Sequence, residues 1–358
     1  MERESLIKKE EMIVMKKTER WMAMLLAGVC TAGLLAGCAE SGQEEETSTE
    51  NVETVVIGTQ EMPNDEGIAK ALDYFSEEMG VEVEITQFDS GKDVNTALAS
   101  GSIDFGLLGS CPAALAISQD LGVKCIWIHE ILGSAESLVA RADSGVTSIE
   151  ELEGKTVATP FASTSHFSLL HALESAGLSE TDVNLLDMQP SEIYAAWENG
   201  QIDAAYVWDP TLSELGDSVL LCTSGDLADM GYMTSNVELV RTEFMEENPE
   251  LTEAYIRAVS KAVDLYQNET DEAVATIVSA LELTEEDAEK QMAGSTWLSA
   301  EEQLGASYFG TNEEKGALAQ NLYDTAVFLK EQDSITEVPD LSVFEEAVDS
   351  SAIEAVVE

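Results

Sequence analysis

The feature that most constrains the fold of this chain is a repeated alternation of short apolar segments with segments of helical periodicity. The first half contains apolar strand candidates at 54–58, 81–88, 103–108 and 123–131. Helical candidates lie between them at 65–79, 93–100 and 112–121. The alternation restarts after residue 140, with strand candidates at 156–159, 183–188 and 203–207. Such alternation predicts an α/β fold with mostly parallel sheets and helices on both faces.

From about residue 242 to about 331 the pattern becomes almost wholly helical. A length of 358 residues with 44% hydrophobic residues suits two domains, each with its own core, and excludes a wholly disordered chain. A first lobe that begins, is interrupted by a second lobe and then resumes fits this order of elements.

Acidic residues greatly outnumber basic ones, with 70 Asp and Glu against 17 Lys and Arg, for a formal net charge of −53. Because phosphate backbones are bound by basic surfaces, this balance excludes nucleic acid as a natural partner. It also argues against docking of the protein surface on anionic lipid.

The first 37 residues have the order of a lipoprotein signal peptide. Basic residues such as Lys16, Lys17 and Arg20 precede an apolar run from Trp21 to Ala36 that is short and rich in Gly and Ala. These properties fit a signal peptide better than a membrane-spanning helix. The run ends in the lipobox Leu35-Ala36-Gly37-Cys38, which predicts cleavage before Cys38 and acylation of its thiol. Met1 and Met15 both remain possible starts.

Residues 38–53 are acidic and low in complexity, and they predict a flexible tether between the lipid and the fold. The mature protein is then expected on the outer face of the cell membrane, or in the periplasm, anchored through Cys38.

Three further cysteines, Cys111, Cys125 and Cys222, follow the predicted lipidation site. An odd number allows at most one disulfide, and a Cys125–Cys222 pair is left open. No cluster of Cys and His in the sequence indicates a metal site, and no cofactor is expected.

Two loops that follow predicted strands run directly into helices and carry hydroxyl side chains. Ser110 lies in the first loop, and Ser163 and Thr164 lie in the second. Ligands of open α/β sheets sit beyond the carboxyl ends of strands, and helix N-termini bind anions through free N–H groups. An ordinary helix cap is the commoner role of such residues, but one such loop in each half predicts a shared anion site.

Three other positions are candidates for the same site. Trp208 and Asp209 leave a buried strand together and suit a small cationic group, although a core Trp and a capping Asp would give the same pattern. Gln60, at the end of the first strand, is either a hydrogen-bond donor to an oxyanion or part of a surface loop. His166 is expected to donate to a ligand or cap a helix, since no Gly-x-Ser-x-Gly motif accompanies it.

The motifs around these positions resemble the taurine-binding proteins of ABC importers, within the taurine, sulfonate and nitrate solute-binding protein family. The similarity covers about residues 54–335, in the order and spacing of the family. Its main segments are Phe88-Asp89-Ser90-Gly91, Leu108-Gly109-Ser110-Cys111-Pro112, Leu132-Gly133-Ser134-Ala135-Glu136, Pro160-Phe161-Ala162-Ser163-Thr164-Ser165-His166 and Asp203-Ala204-Ala205-Tyr206-Val207-Trp208.

The resemblance implies a two-lobed periplasmic-binding-protein fold of type II, in which two crossover strands join the lobes and the ligand cleft lies between them. It places the crossovers near Glu136–Arg141 and Ser235–Arg241. Lobe one would then comprise residues 54–138 and 238–358, and lobe two residues 139–237.

The resemblance also implies roles for individual residues. Ser110, Ser163 and Thr164 would hold the sulfonate oxygens of the ligand. Gln60 and His166 would lie in the same cleft.

At the other end of the ligand, Trp208 would form a wall and Glu136 matches an acidic position near the hinge. The family acid that suits the taurine ammonium aligns with Asn236, which carries no charge. Asp209 is therefore the candidate for a relocated acid, and an amino-bearing ligand is favoured because a buried, unpaired Asp209 would be costly.

The sequence as a whole predicts a monomeric, non-catalytic solute-binding lipoprotein that captures taurine by hinge closure and delivers it to an ABC permease and its ATPase. Another small sulfonate or oxyanion, such as an alkanesulfonate or nitrate, is an alternative ligand. An enzyme on the same fold, such as a desulfinase-like hydrolase using Cys111 or His166, is a competing hypothesis. A purely sensory ligand-binding lipoprotein is a third.

Overall fold

The structure is a computed structural model that describes residues 52–357. The predicted signal peptide, the predicted lipidation site Cys38 and the tether up to residue 51 lie outside the described residues. None of the helices described in 52–357 combines the length and the hydropathy needed to cross a membrane.

The described strands and helices alternate through the first two thirds of the chain. The strands are β1 Thr54–Gln60, β2 Glu82–Phe88, β3 Phe105–Gly109, β4 Val123–Leu132, β5 Glu136–Arg141, β6 Thr156–Thr159, β7 Asn184–Asp187, β8 Ala204–Trp208, β9 Ser218–Thr223, β10 Ser235–Arg241 and β11 Ser295–Thr296. The helices are α1 Asp65–Ala71, α2 Tyr74–Met79, α3 Gly91–Ser100, α4 Ser110–Ser118, α5 Thr164–Ser175, α6 Pro190–Glu198, α7 Thr211–Glu214, α8 Ser224–Asp229, α9 Thr242–Glu247, α10 Pro249–Asn268, α11 Thr270–Leu281, α12 Glu285–Met292, α13 Ala300–Gln303, α14 Leu318–Glu331, α15 Leu341–Ala347 and α16 Ser351–Val357. Short 3₁₀ turns lie at Ala142–Ser144, Ile149–Leu152 and Glu180–Asp182.

Two sheets divide these strands. The first sheet has the order β11-β4-β10-β3-β1-β2, and the second has the order β7-β6-β8-β5-β9. The β1–β2, β1–β3, β6–β7 and β6–β8 pairs are parallel, whereas β10 and β5 run antiparallel to both of their neighbours. This arrangement confirms the α/β, two-lobed periplasmic-binding-protein fold, with one sheet in each lobe.

The chain passes from the first sheet to the second between Leu132 and Glu136, and it returns between Thr223 and Ser235. The first passage is tight, because a Cβ on Gly133 would lie 2.5 Å from the Gly294 carbonyl oxygen. The division into 54–138, 139–237 and 238–358 stays a prediction. Its boundaries fall inside β5 and β10, each of which pairs within a single sheet.

The central strands of the second sheet, β5, β6 and β8, are apolar on both faces because each face packs against its own core. Leu138 and Ala140 of β5 point into one core, and Val139 between them points into the other. A strand buried on both faces appears in the sequence as a continuous apolar run, which is why these strands are recognisable from sequence.

Two details of the elements differ from the sequence prediction. The segment 65–79 is not one helix, because Asp73 adopts a left-handed conformation (φ 59°) that separates α1 from α2. The helical region after residue 242 contains the short strand β11 and continues beyond residue 331 with α15 and α16. The long helices of this region cover the first sheet, with α10 packed on α1 and α2, and α14 on α4.

A cluster of charged side chains is fully buried beneath the start of α1. His129 on β4 contacts Asp65 through Nδ1 (2.7 Å to Oδ1) and Glu238 through Nε2 (2.9 Å to Oε2). The Trp127 indole N–H donates to Asp65 at 2.7 Å, and the Tyr255 hydroxyl donates to Glu238 at 2.7 Å. Burial disfavours a charged imidazole, but the two carboxylates outweigh it, and the pKa of His129 is raised.

Glu66 belongs to the same cluster and has the most perturbed carboxyl group in it. The Thr59 hydroxyl donates to its Oε2 at 2.5 Å and the Tyr255 hydroxyl to its Oε1 at 3.2 Å. Burial, with a further contribution from the Glu238 charge, raises the pKa of Glu66 to about 8. Glu66 is therefore protonated in the folded protein at neutral pH, whereas it ionises in the unfolded chain.

We expect this group to make folding less favourable as the pH rises. A carboxyl whose folded-state pKa is raised contributes stability below its unfolded pKa and loses that contribution as the pH passes through the folded value. The window here runs from about 4.5 to about 8. In Glu66→Gln the free energy of unfolding should rise relative to wild type with increasing pH across this window, by at most about 1.4 kcal/mol per pH unit. Urea unfolding at pH 5, 6, 7 and 8 measures the difference.

The exposed Glu84→Gln is the matched control, and its unfolding free energy should follow that of wild type at every pH. Parallel curves for Glu66→Gln and wild type would contradict the assignment.

Candidate functional site

A small pocket lies at the edge where the parallel strands of both sheets end. Both lobes contribute to its wall, as expected for ligand sites of open α/β sheets. Its lining residues are Gln60, Met62, Gly91, Gly109, Pro112, Leu132, Glu136, Ser163, Thr164, Trp208 and Asn236.

Strand pairing brings the lobe-one residues together. Gln60 ends β1 and Gly109 ends β3, while Asn236, the second residue of the antiparallel β10, lies opposite Gly109. On the other side of β10, Asn236 is paired with Glu130 of β4. Residues more than 100 positions apart in sequence thus become cross-strand neighbours.

The same principle assembles the lobe-two side. Glu136, the first residue of β5, lies opposite Trp208, the last residue of β8. Ser163 and Thr164 follow β6 and begin α5.

Glu136 is completely buried and accepts hydrogen bonds from three hydroxyl groups. Thr164 and Ser165, both at the start of α5, donate to its Oε2 at 2.5 and 2.8 Å, and Ser224 donates to its Oε1 at 2.7 Å. Burial raises the pKa of Glu136, while these three hydrogen bonds act in the opposite direction. The carboxylate thus fixes the first turns of α5 and α8 to the strand beneath them.

The N-termini of α4 and α5 meet at the pocket wall. A Cβ on Gly109, which precedes α4, would lie 2.8 Å from the Thr164 methyl group, so glycine is required for this close approach. In α5, the Ser163 hydroxyl oxygen accepts the His166 N–H at 3.2 Å, while the first N–H groups of a helix have no acceptor within it. Among residues 52–357, no Lys or Arg lines the pocket. This end of the pocket is suited to an anion held by helix N-termini instead of by a cationic side chain.

Of the predicted binding residues, the pocket brings together Gln60, Glu136, Ser163, Thr164, Trp208 and Asn236. Their roles in binding stay predictions. Ser110, His166 and Asp209 do not line it.

Ser110 is buried beside the pocket, as the first residue of α4. Its hydroxyl oxygen accepts the Ser235 N–H at 3.4 Å, which connects α4 to the start of β10. The residue before it, Gly109, lines the pocket instead.

His166 lies between aromatic rings at the contact between the lobes. Its ring stacks on Phe161 at 4.5 Å and meets the edge of Phe328, on α14, at 5.8 Å. Its Nδ1 accepts the Ala162 N–H at 3.4 Å, and burial lowers the pKa of His166 to about 4. A neutral imidazole packed in this way acts as part of the interface between lobes.

Asp209 is buried near the hinge, where its Oδ1 accepts hydrogen bonds from the Ser213 N–H (3.0 Å) and hydroxyl (2.6 Å). These contacts are those of a residue that caps the turn of α7. The relocation of an acid to Asp209 stays a prediction that this geometry does not favour.

Glu130 and Met62 are the pocket-side residues that the sequence analysis missed. The Asn236 amide nitrogen donates to Glu130 Oε1 at 2.8 Å and lies 3.3 Å from the Met62 sulfur. The available signal was the unusual pair His129-Glu130 inside the otherwise apolar run of β4.

The three cysteines within residues 52–357, Cys111, Cys125 and Cys222, are free and buried. Cys125 lies in the first sheet and Cys222 in the second, so the disulfide that was left open is not formed. Burial raises the pKa of the Cys111 thiol, opposite to what an activated nucleophile needs. Across 52–357 no cluster of His, Cys, Asp and Glu has the arrangement of a metal site.

Comparison with known proteins agrees with this geometry. The family described as NMT1/THI5 like matches residues 67–273, more than half of the chain. The taurine-binding periplasmic protein of Escherichia coli (strain K12) is 34% identical over 278 residues, which cover 76% of this chain and 84% of that protein.

Solved structures show the same fold. The alkanesulfonate-binding protein SsuA from Xanthomonas axonopodis pv. citri, bound to MOPS, superposes with a TM-score of 0.68 at 20% identity, covering 84% of this chain and 99% of that one. The desulfurization enzyme DSZB superposes with a TM-score of 0.61 at 16% identity, covering 86% and 99%. At these identities the similarity concerns the fold alone.

The Glu136 network yields a stability prediction. In Glu136→Gln an amide NH₂ replaces one of the two oxygen acceptors, so buried hydroxyl groups lose a partner. We expect the free energy of unfolding to fall by about 1–3 kcal/mol, measured by urea unfolding at pH 7. Ser224→Ala removes one donor and should cost about 1 kcal/mol. An unchanged free energy of unfolding in Glu136→Gln would mean that the three hydroxyl contacts contribute little to stability.

Proposed function

The chain belongs to the NMT1/THI5-like family, and we propose that it is an extracytoplasmic solute-binding protein of an ABC importer that captures taurine between its lobes. The observation that carries the proposal is the pair of helix N-termini that meet at the wall of a pocket with no Lys or Arg from residues 52–357. A sulfonate presents one negative charge on three oxygens, which suits several N–H donors converging on one point. The relative named as a taurine-binding periplasmic protein is 34% identical over 76% of this chain.

Capture requires the lobes to close, and several contacts stabilise the closed arrangement. Gly109 of the first lobe approaches Thr164 of the second, and the Ser191 hydroxyl on α6 donates to Asp89 at 2.9 Å. Phe328 of the first lobe packs against Phe167 of the second at 5.0 Å. A ligand that contacts both lobes would add its own binding free energy to the closed state and shift the population toward it.

Release would occur to a membrane permease driven by a cytoplasmic ATPase, as expected for a component of an ABC importer. No covalent step is part of the proposal, because Cys111 is buried without an activating base and His166 is packed between aromatic rings.

Calorimetric titration of residues 54–358 tests the ligand class. We expect taurine to bind more tightly than ethanesulfonate, sulfate and nitrate, because it offers both an anion for the helix N-termini and a cation for the opposite end. Stronger binding of ethanesulfonate than of taurine would indicate that the protein captures alkanesulfonates instead. No binding of any of the four would overturn it, and turnover of a sulfinate would indicate the enzyme alternative.

We also propose that the protein is anchored to the outer face of the membrane through a lipid on Cys38. The motif Leu35-Ala36-Gly37-Cys38 after an apolar run supports this. Expressed in a bacterium with lipoprotein processing, the full chain should label with radioactive palmitate and sediment with membranes. Cys38→Ser should lose the label and the sedimentation, while Cys222→Ser should keep both. A labelled Cys38→Ser protein would contradict the assignment.

A further inference from the structure

The lobe-one end of the pocket is formed by two side-chain amides whose nitrogen atoms are already engaged. Gln60 Nε2 donates to the Leu107 carbonyl at 3.1 Å, and Asn236 Nδ2 donates to Glu130 at 2.8 Å. An amide NH₂ group has two hydrogens, and in Asn236 both have an acceptor, because Nδ2 also lies 3.3 Å from the Met62 sulfur. The Asn236 oxygen is therefore the atom that remains for a ligand, whereas Gln60 keeps one N–H as well as its oxygen. The Asn236 amide therefore offers the pocket a hydrogen-bond acceptor, whereas the N-terminus of α5, in the second lobe, offers N–H donors.

Glu130 stands directly behind the Asn236 amide because of an irregularity in strand pairing. Asn236 pairs with Glu130, but the next residue, Val237, pairs with Ile128, so β4 carries His129 as an extra residue. A bulge of this kind re-aims side chains. It allows Glu130 to reach Asn236 while His129 reaches Glu238, two residues farther along the same strand.

The carboxylate of Glu130 is buried and poorly compensated. It is 6% exposed, and no Lys or Arg among residues 52–357 forms an ion pair with it. Burial raises the pKa of Glu130, although the Asn236 amide and the neighbouring Ser295 act in the opposite direction. A buried carboxylate of this kind is stabilised when a cation approaches.

The other two carboxylates near the pocket are already satisfied by the protein. Glu136 accepts three hydroxyl hydrogen bonds within lobe two. Asp209 accepts two hydrogen bonds from Ser213 and does not line the pocket.

We propose that Glu130, acting through Asn236, selects amino-bearing sulfonates over plain alkanesulfonates. The inference rests on the proposed function and adds the residue that decides the ligand class. Glu130 is a positioning residue: it orients the Asn236 oxygen toward the ligand and supplies negative charge behind it.

The test compares taurine with ethanesulfonate, which lacks only the amino group. Dissociation constants of both ligands are measured by calorimetry at pH 7 for wild type and Glu130→Gln. Gln keeps an oxygen acceptor for Asn236 and removes the charge. We expect Glu130→Gln to raise the dissociation constant of taurine about tenfold or more, while that of ethanesulfonate changes by less than about threefold. Glu130→Asp, which restores the charge, should recover part of the taurine preference.

Asp209→Asn is the matched control, since it removes the charge of another buried acid outside the pocket. Its ratio of taurine to ethanesulfonate affinity should equal that of wild type. Should Glu130→Gln fail to fold, Asn236→Leu provides a second test, because replacing the amide with an apolar side chain should lower the same ratio.

An unchanged ratio in Glu130→Gln, or in Asn236→Leu, would overturn the inference, as would a lowered ratio in Asp209→Asn alone. If wild type binds both ligands with equal affinity, the result supports sulfonate capture and contradicts the proposed role of Glu130. If wild type binds neither ligand, the proposed function fails and this inference fails with it.

Discussion

The pocket depends on one buried carboxylate and the hydroxyl groups that surround it. Glu136 begins a strand of the second sheet and is hydrogen-bonded by the first two residues of α5 and by Ser224 of α8. Without these partners a buried charge would be strongly destabilising. With them, it fixes the N-terminus of α5 in the position where Thr164 meets Gly109 of the other lobe. The anion-binding end of the pocket therefore follows from the way in which one acid is satisfied.

The two ends of the pocket have opposite polarity, and this polarity is produced without basic side chains. The N-terminus of α5 offers donors from the second lobe, whereas the Asn236 oxygen offers an acceptor from the first. A chain with a net charge of −53 has few cations to place in a binding site. Backbone N–H groups solve this problem because they bind an anion regardless of the composition of the surface.

The buried cluster around His129 supports the same region from below. His129 joins Asp65, at the start of α1, to Glu238 on β10. It therefore connects the segment from Gln60, at the end of β1, through Met62 to the centre of the first sheet. The bulge that accommodates His129 also aims Glu130 at Asn236. One irregularity in β4 thus contributes both to the buried ion cluster and to the pocket wall.

The sequence by itself determined the α/β class, the approximate strands and helices, and the loops at which Ser163, Thr164 and Trp208 enter the pocket. These features follow from local periodicity, from capping residues and from the resemblance to a family. Only the tertiary structure decided that Glu130 reaches the pocket side of β10 and that Asp209 and His166 do not line the pocket. Periodicity along a chain reports whether a side chain is buried. It does not report which strand lies beside it. Glu130 comes to lie beside Asn236 through antiparallel pairing and a one-residue bulge between strands about 100 residues apart.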